Sequence, residues 1–209
     1  MIPTVSDSQT QILRWIMDLY SIEEFTLDPT YGKGGFYRDG RIPPPLLMGD
    51  ICPRRGRHGQ AVNGVGQIDS RDLRGIDIGS ISSIVFDPPF IHAHGKDSVI
   101  GNRFGSYPSQ KALGEMYQQS MEAFYRVLKP GGILVLKCQD IVESGKQVMS
   151  HCLIWSWAVA LGFEVLDLFV LMARHRMRGH NHGRQVHARK YHAYFWVFRK
   201  RCGRSEPKR

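Results

Sequence analysis

The apolar positions along the chain follow two different spacings, one typical of helices and one typical of buried strands. Apolar side chains three and four residues apart predict helices that start near Gln9 and cover 109–129 and 146–161. Uninterrupted apolar runs predict the buried strands 81–86, 133–137, 163–172 and 192–199. Shorter strands are expected at 23–27, at 46–48 with an end at Asp50, and in the segment ending at Asp69.

This order of elements predicts the fold class. Strands that alternate with helices favour an α/β sandwich on a mostly parallel sheet, and the last two strands, joined by a hairpin-like loop, supply one C-terminal antiparallel strand. We expect a single domain over 1–200 and a basic tail over 201–209. In such sheets ligands bind beyond the carboxyl ends of the strands, where the turns described below fall.

The composition is that of a globular protein. The 209 residues are 42% hydrophobic and 22% charged, which excludes wholesale disorder. No run of 18 apolar residues exists and the first seven residues have no basic start or apolar stretch, so neither a membrane span nor a secretory signal is expected. The four cysteines are scattered without a CxxC pair, which predicts reduced thiols, no zinc ribbon and a cytoplasmic protein.

The net charge of +9 is concentrated near the C-terminus. From Arg174 onward the chain has twelve lysines and arginines and one acid, Glu206. This favours a polyanionic partner, although a solvated tail would have the same composition. We predict contacts with nucleic-acid phosphates from the basic residues of the 174–190 loop, which are Arg174, Arg176, Arg178, Arg184, Arg189 and Lys190. His180 and His182 form an HxH pair, a weak signal on which no metal site is predicted.

A glycine-rich turn follows the strand expected at 23–27. It runs from Asp28 to Phe36, and its glycines would let the backbone approach a ligand closely, although a tight turn without a ligand can have the same sequence. The dinucleotide fingerprint GxGxxG fails because Tyr37 stands where the third glycine is required. No GxxxxGK[ST] phosphate loop is present either.

Two acids stand at the ends of the next two expected strands. Asp50 could accept hydrogen bonds from both hydroxyls of a ribose, and Asp69 could accept one from an adenine amino group. Either carboxylate could instead be an ordinary surface residue at a strand end. Their spacing after the glycine turn favours a ligand bound along this edge of the sheet.

The strongest signal is the run Asp87, Pro88, Pro89 and Phe90 directly after a buried strand. The prolines fix the backbone and withhold two N–H donors, so their carbonyl oxygens are free to accept. An aspartate and a proline carbonyl aimed at one point can hold both hydrogens of an aromatic amino group, and Phe90 offers a face for stacking. The alternative is a rigid turn that only ends a strand. His92 and His94 lie close enough in sequence to contact a substrate there.

These motifs resemble those of the class I S-adenosylmethionine-dependent methyltransferases that act on exocyclic amino groups of bases. The stretch at 27–36 is similar to the cofactor motif of DNA adenine-N6 and cytosine-N4 methylases, and 84–90 is similar to their DPPY/F motif. The segments 128–137 and 187–200 resemble later strands of the same enzymes. The resemblance runs from Phe25 to Lys200 and implies a Rossmann-like fold with S-adenosylmethionine as cofactor.

The resemblance also implies roles for individual residues. Asp28, Gly32 and Gly34, with the adjacent Pro29 and Tyr31, would hold the methionine part of the cofactor. Asp50 would hold its ribose and Asp69 its adenine. The target base would be held by Asp87, Pro88, Pro89 and Phe90. Three departures from the family pattern are Lys33 in place of serine or threonine, three prolines at 43–45, and no large recognition domain after the DPPF run.

The function expected from these motifs is amino methylation of a base in DNA, with adenine N6 favoured over cytosine N4. The alternatives are methylation of an RNA base, at adenine N6 or guanine N2, and a non-catalytic nucleic-acid-binding module. We expect nucleic acid as the partner, DNA rather than RNA, and no membrane. The small size is compatible with a homodimer or a partner subunit.

Overall fold

The computed structural model describes residues 1–53, 64–91, 107–173, 186–188 and 190–202. Within these residues the first half of the chain forms β1 (Val5–Ser6), α1 (Gln9–Leu19), β2 (Leu27–Asp28), β3 (Leu47–Asp50), β4 (Gly66–Gln67) and β5 (Ile81–Phe86). The second half forms α2 (Gln110–Val127), β6 (Leu128–Cys138), β7 (Ile141–Glu143), β8 (Lys146–Val148), α3 (Ser150–Leu161), β9 (Phe163–Met172) and β10 (His192–Lys200). No helix in the described part of the chain is both long and apolar enough to cross a membrane.

Eight strands form one sheet in the order β1-β9-β10-β6-β5-β2-β3-β4. β10 runs antiparallel to both of its neighbours, β6 and β9, and the other pairs are parallel. This confirms a mostly parallel sheet with a C-terminal antiparallel strand. The carboxyl ends of β2, β3, β5, β6 and β9 therefore lie at one edge of the sheet, together with the start of β10.

Alternate residues of a strand face opposite sides of the sheet, and helices cover both sides. Val135 of β6 packs in a cluster with the apolar face of α1, whereas its neighbours Leu134 and Leu136 pack in a second cluster with α2 and α3. The serines preceding α1 and α2 cap them: the Ser8 hydroxyl accepts from the Gln11 N–H at 3.3 Å, and Ser109 does the same for α2. The sequence predicts both helix starts correctly.

The helix expected over 146–161 begins at Ser150 instead. Residues 146–148 form β8, which pairs with β7 in a hairpin outside the main sheet. Ser144 and Gly145 both have positive φ, 47° and 74°, as the tightest hairpin turns require, so the chain reverses at these residues. The two-residue strand β1, which pairs with β9 through Val5, was also not predicted, because so short a strand leaves no periodic pattern.

Candidate active site

The chain changes direction across the sheet at β2, and this reversal locates the candidate site. β2 lies between β3 and β5; the chain goes from β2 outward to β3 and β4, then returns to the other side as β5. A crevice outside the carboxyl ends of the strands at such a reversal is the usual ligand position in α/β sheets. In this sheet that position lies between Asp28, which ends β2, and Asp87, which follows β5, and it is called the crevice.

The Asp28 carboxyl group is buried and organises the turn after β2. Its Oδ1 accepts from the N–H and the hydroxyl of Thr30, at 2.9 and 3.1 Å, and its Oδ2 accepts from the Tyr37 hydroxyl at 2.8 Å. Burial raises the pKa of Asp28 to about 7, although the hydrogen bonds from Tyr37 and Thr30 act in the opposite direction. Asp28 thus bonds to Thr30 within the glycine-rich turn and to Tyr37 directly after it, and its direct contact with a ligand stays a prediction.

Thr30 joins the glycine turn to the DPPF corner. Its Oγ1 donates to Asp28 and accepts from the Asp87 N–H at 2.9 Å, so one hydroxyl links the ends of β2 and β5. The strands are also linked before the crevice, where Thr26 and Ser83 exchange hydrogen bonds. Sequence reasoning did not select Thr30, because threonine after an Asp-Pro pair signals only a local turn.

The glycines of the turn adopt conformations that other residues rarely take. Gly32 and Gly34 have φ of 55° and 67°, and a Cβ on Gly34 would lie 2.9 Å from Oη of Tyr31. Tyr31 stacks on Tyr37 at 5.2 Å between ring centroids. A Cβ on Gly32 would lie 3.8 Å from Oδ2 of Asp50, so the sheet brings Asp50 to the turn; its contact with a ribose stays a prediction.

Asp50 and Asp69, the two acids at strand ends, differ in the hydrogen bonds that their carboxylate oxygens already accept. Asp50 accepts from the Cys52 N–H at 2.7 Å through Oδ1, and no described donor bonds its Oδ2. Asp69, two residues beyond β4, forms a two-pronged ion pair with Arg71, with N···O distances of 2.9 and 2.5 Å. The Arg71 hydrogen bond lowers the pKa of Asp69. Asp69 therefore stays charged, and any bond to an adenine amino group would add to the Arg71 pair.

Lys137, near the end of β6, forms an ion pair with Asp87 that sequence reasoning missed. Its Nζ lies 3.1 Å from Asp87 Oδ2 and 3.2 Å from Gln9 Oε1, and the lysine is 9% exposed. The rings of Phe36, Phe90 and Phe195 each lie within 5.2–5.6 Å of Nζ. Burial raises the pKa of Asp87, and the charge of Lys137 opposes this. The available signal was a lysine inside the apolar run of β6.

The two proline carbonyls of the DPPF corner are not equivalent. The Pro89 oxygen accepts from the Tyr117 hydroxyl at 3.1 Å. No hydrogen bond to the Pro88 oxygen is found among the described residues. Phe90 is half-buried. Among the described residues, the corner therefore has a carboxylate paired with Lys137, a Pro88 carbonyl without a hydrogen-bond donor and a half-buried aromatic ring.

Several predicted residues cannot be placed. Arg174, Arg176, Arg178, Arg184 and Arg189 lie outside the described residues, as do His92, His94, His180 and His182. Lys190 is half-buried just before β10, and Tyr191 is 43% exposed. The Ala173 N–H donates to the Tyr191 carbonyl at 2.7 Å, so both ends of the basic loop lie at the sheet edge that carries Asp87. Within the described ranges, no group of three or more acidic, histidine or cysteine side chains is arranged for a metal ion.

A separate cavity of about 510 Å³ lies at the opposite edge of the sheet. Arg14 and Glu23 line it, with Pro43 from the triple-proline segment. Because Glu23 precedes β2, this cavity is remote from the crevice and from the residues that the motifs select.

Asp28→Asn is expected to flatten the dependence of stability on pH. The folded state holds the Asp28 proton with a pKa of about 7 against the usual 3.8, so the free energy of unfolding falls as pH rises from about 4 to about 7, by up to about 4 kcal/mol. An asparagine can keep the Thr30 contacts and donate to the Tyr37 oxygen. Chemical denaturation at about pH 5 and pH 8 measures the free energy of unfolding of both proteins. If it changes equally with pH in both, the pKa of Asp28 is not raised in the folded state.

No protein-family model and no curated protein matches the chain. Solved structures with a similar fold include the [4+2]-cyclase SpnF, with a TM-score of 0.54 and 15% identity over 93% of this chain and 82% of SpnF. A Haloferax volcanii protein assigned as a methyltransferase, solved with the Trm112 methyltransferase activator, has a TM-score of 0.51 and 14% identity over 92% of this chain and 91% of its own.

TTHA0409 of Thermus thermophilus, assigned as a DNA modification methylase, has a TM-score of 0.44 and 21% identity over 68% of this chain. This chain spans 54% of the length of TTHA0409, about half. At identities this low, a structural likeness establishes the fold alone. Together with the strand order, the comparisons show that the chain has the Rossmann-like class I methyltransferase fold, as predicted.

Proposed function

We propose that the protein is an S-adenosylmethionine-dependent methyltransferase acting on an exocyclic amino group of a nucleobase in DNA, with adenine N6 preferred over cytosine N4. The observation that carries the proposal is the 2.9 Å hydrogen bond between Thr30 Oγ1 and the Asp87 N–H. It fixes the turn predicted to hold the cofactor directly beside the corner predicted to hold the amino group. A methyl donor and its acceptor need this proximity.

The residues at the crevice fit the cofactor. Gly32 is exposed in the turn and Gly34 holds the turn in its positive-φ conformation, Asp50 Oδ2 lies beside Gly32, and Asp69 stands beyond the neighbouring strand. We assign these residues to the methionine, ribose and adenine parts respectively. When bound, S-adenosylmethionine supplies an electrophilic methyl group on a sulfonium centre.

The DPPF corner would activate the amino nitrogen. An aromatic amine is a poor nucleophile because its lone pair is delocalised into the ring. Asp87 and the Pro88 carbonyl can each accept one of its two hydrogens, which favours a pyramidal nitrogen with a freer lone pair. Phe90 would stack on the base after it leaves a duplex. These groups are preorganised, so they would stabilise the charge that develops on the nitrogen.

Asp87 can also receive the surplus proton. Nitrogen carries an extra positive charge once it is methylated, and it loses this charge by releasing a hydrogen to the carboxylate that already accepts from it. Burial raises the pKa of Asp87, which makes the carboxylate a better proton acceptor. Lys137 keeps it ionised before the reaction.

The direct test is methyl transfer from labelled S-adenosylmethionine to DNA and to RNA, followed by digestion to nucleosides and identification of the methylated base. We expect N6-methyldeoxyadenosine. Label in an RNA base instead would move the proposal to RNA. Cofactor binding without transfer to either polymer would contradict it. The assay is needed because SpnF, a cyclase, shares the fold, and a fold does not fix a reaction.

Gly34→Ala is expected to weaken S-adenosylmethionine binding by about tenfold or more. The backbone at position 34 has a positive φ, which a residue with a Cβ rarely adopts, and the new Cβ would press against the Tyr31 side chain. Gly35→Ala is the matched control, because a Cβ there has nothing within 4 Å. Calorimetric titration measures both affinities. Equal affinities for the two variants would show that the turn does not contact S-adenosylmethionine.

Binding to nucleic acid is expected to weaken steeply with salt. Both ends of the basic loop lie at the edge of the sheet that carries Asp87. The loop contains six basic residues, and we propose that they contact phosphates near the target base. If all six do so, the logarithm of the binding constant against that of salt concentration should have a slope of about −5 for duplex DNA. Fluorescence anisotropy measures it, and a flat response would exclude the loop as the phosphate-binding element.

A further inference from the structure

Three polar side chains outside the crevice form a hydrogen-bonded series that ends in an exposed thiol. Asp140 follows β6 by two residues, and His151 and Cys152 stand in the first turn of α3. Asp140 Oδ1 lies 2.7 Å from His151 Nδ1, and His151 Nε2 lies 3.3 Å from Cys152 Sγ. The carboxylate, the imidazole and the sulfur are thus connected in that order.

The imidazole is held in place from several sides. Asp140, whose side chain is 2% exposed, also accepts from the His151 N–H at 3.2 Å. The ring of Tyr194 stacks on the His151 ring at 4.3 Å, and Trp196 donates to the His151 carbonyl at 3.1 Å. With Asp140 as the acceptor, Nδ1 carries the hydrogen, so the lone pair of Nε2 faces the sulfur.

The other cysteines lack this arrangement. Cys138 is buried, and burial raises the pKa of its thiol well above the ordinary value, which makes it unreactive. Cys52 and Cys202 are exposed like Cys152, but no hydrogen bond between their sulfurs and an imidazole occurs among the described residues. The chain therefore contains its own controls for the effect of His151.

We propose that Cys152 is a thiol-modification site for small disulfides of the glutathione disulfide type, with His151 as its general base and Asp140 as the residue that positions His151. The Cys152 sulfur attacks one sulfur of the disulfide and its proton passes to His151 Nε2. A bond forms between the two sulfurs, the disulfide bond of the reagent breaks, and the other half leaves as a thiolate. The released half of the reagent is reduced to a thiol once it takes up a proton, and the protein thiol is oxidised to a mixed disulfide.

The first test needs no variant. Full-length protein is incubated with glutathione disulfide, and the mixed disulfide at each cysteine is followed by peptide mass spectrometry. We expect Cys152 to react about tenfold or more faster than Cys52 and Cys202, and Cys138 to stay unmodified while the protein is folded. A rate at Cys152 no higher than at the other two exposed cysteines would overturn the proposal.

His151→Asn removes the proposed base but can keep the hydrogen bond to Asp140. The asparagine amide can still donate to Asp140 near the former position of Nδ1, but nothing replaces Nε2 beside the sulfur. We expect the rate at Cys152 to fall to that at Cys52, with the rates at Cys52 and Cys202 unchanged. An unchanged rate at Cys152 would exclude His151 as the base. Methyl transfer is not measured here, so either outcome leaves the proposed function untouched.

Discussion

Replacing Asp87 by alanine is expected to lower methyl transfer by about 10³-fold or more and to leave S-adenosylmethionine affinity nearly unchanged. The substitution removes one of two acceptors from the amino group and the group that takes its proton. The predicted cofactor contacts at Gly32 and Gly34, in the turn after β2, and at Asp50, at the end of β3, do not involve the Asp87 side chain and are retained. Transfer of labelled methyl groups gives the first quantity, and calorimetry gives the second.

Two controls make this result specific. Asp77→Ala removes the side chain of an exposed aspartate that precedes β5 and should leave both quantities unchanged. Asp87→Asn keeps the volume of the side chain, yet its amide presents hydrogens to the substrate, so it should be nearly as inactive as the alanine variant. Parallel loss of cofactor binding and transfer in both Asp87 variants would mean that Asp87 supports the fold of the crevice and has no separate role in chemistry.

Lys137→Met is expected to lower transfer at neutral pH by about 10-fold to 100-fold, because the buried carboxylate loses the charge that keeps it ionised. The methionine retains most of the apolar stem among Phe36, Phe90 and Phe195. Lys137 is a positioning residue in this account, since it contacts Asp87 and acts through it. Steady-state kinetics on a DNA substrate measures the loss.

The pH profile distinguishes this role from a structural one. Without Lys137, burial acts unopposed and the pKa of Asp87 rises further, so the acid limb of the activity profile should move to higher pH and part of the activity should return there. The charge of Asp87 in turn raises the pKa of nearby Asp28. Lys129→Met, at an exposed position of the same strand, should leave the profile in place. A uniform loss at every pH would contradict the proposed coupling.

The parts of the fold that the sequence determined are those whose signal lies within one segment. The strands Ile81–Phe86 and Phe163–Met172 have the predicted bounds, and α1 starts where its serine cap indicated. The hairpin at 141–148 was missed because Met149 is in phase with the apolar residues of the helix that follows, so the helix was expected to begin as early as Lys146. The turn at Ser144 and Gly145 decides the outcome through backbone conformation.

The candidate site divides in the same way. The residues proposed for the crevice could be selected from the sequence, because the Asp-Pro-Pro-Phe run, the glycine turn and the acids at strand ends each have a local signature. Which side chains contact these residues depends on how the strands pair in three dimensions. Thr30 reaches Asp87 across 57 residues, and Lys137 reaches it across 50. Outside the crevice, His151 reaches Asp140 across 11. Hydrophobic periodicity specifies which face of an element is buried, but such polar contacts arise when sheet pairing brings distant strand ends together, and no local pattern records them.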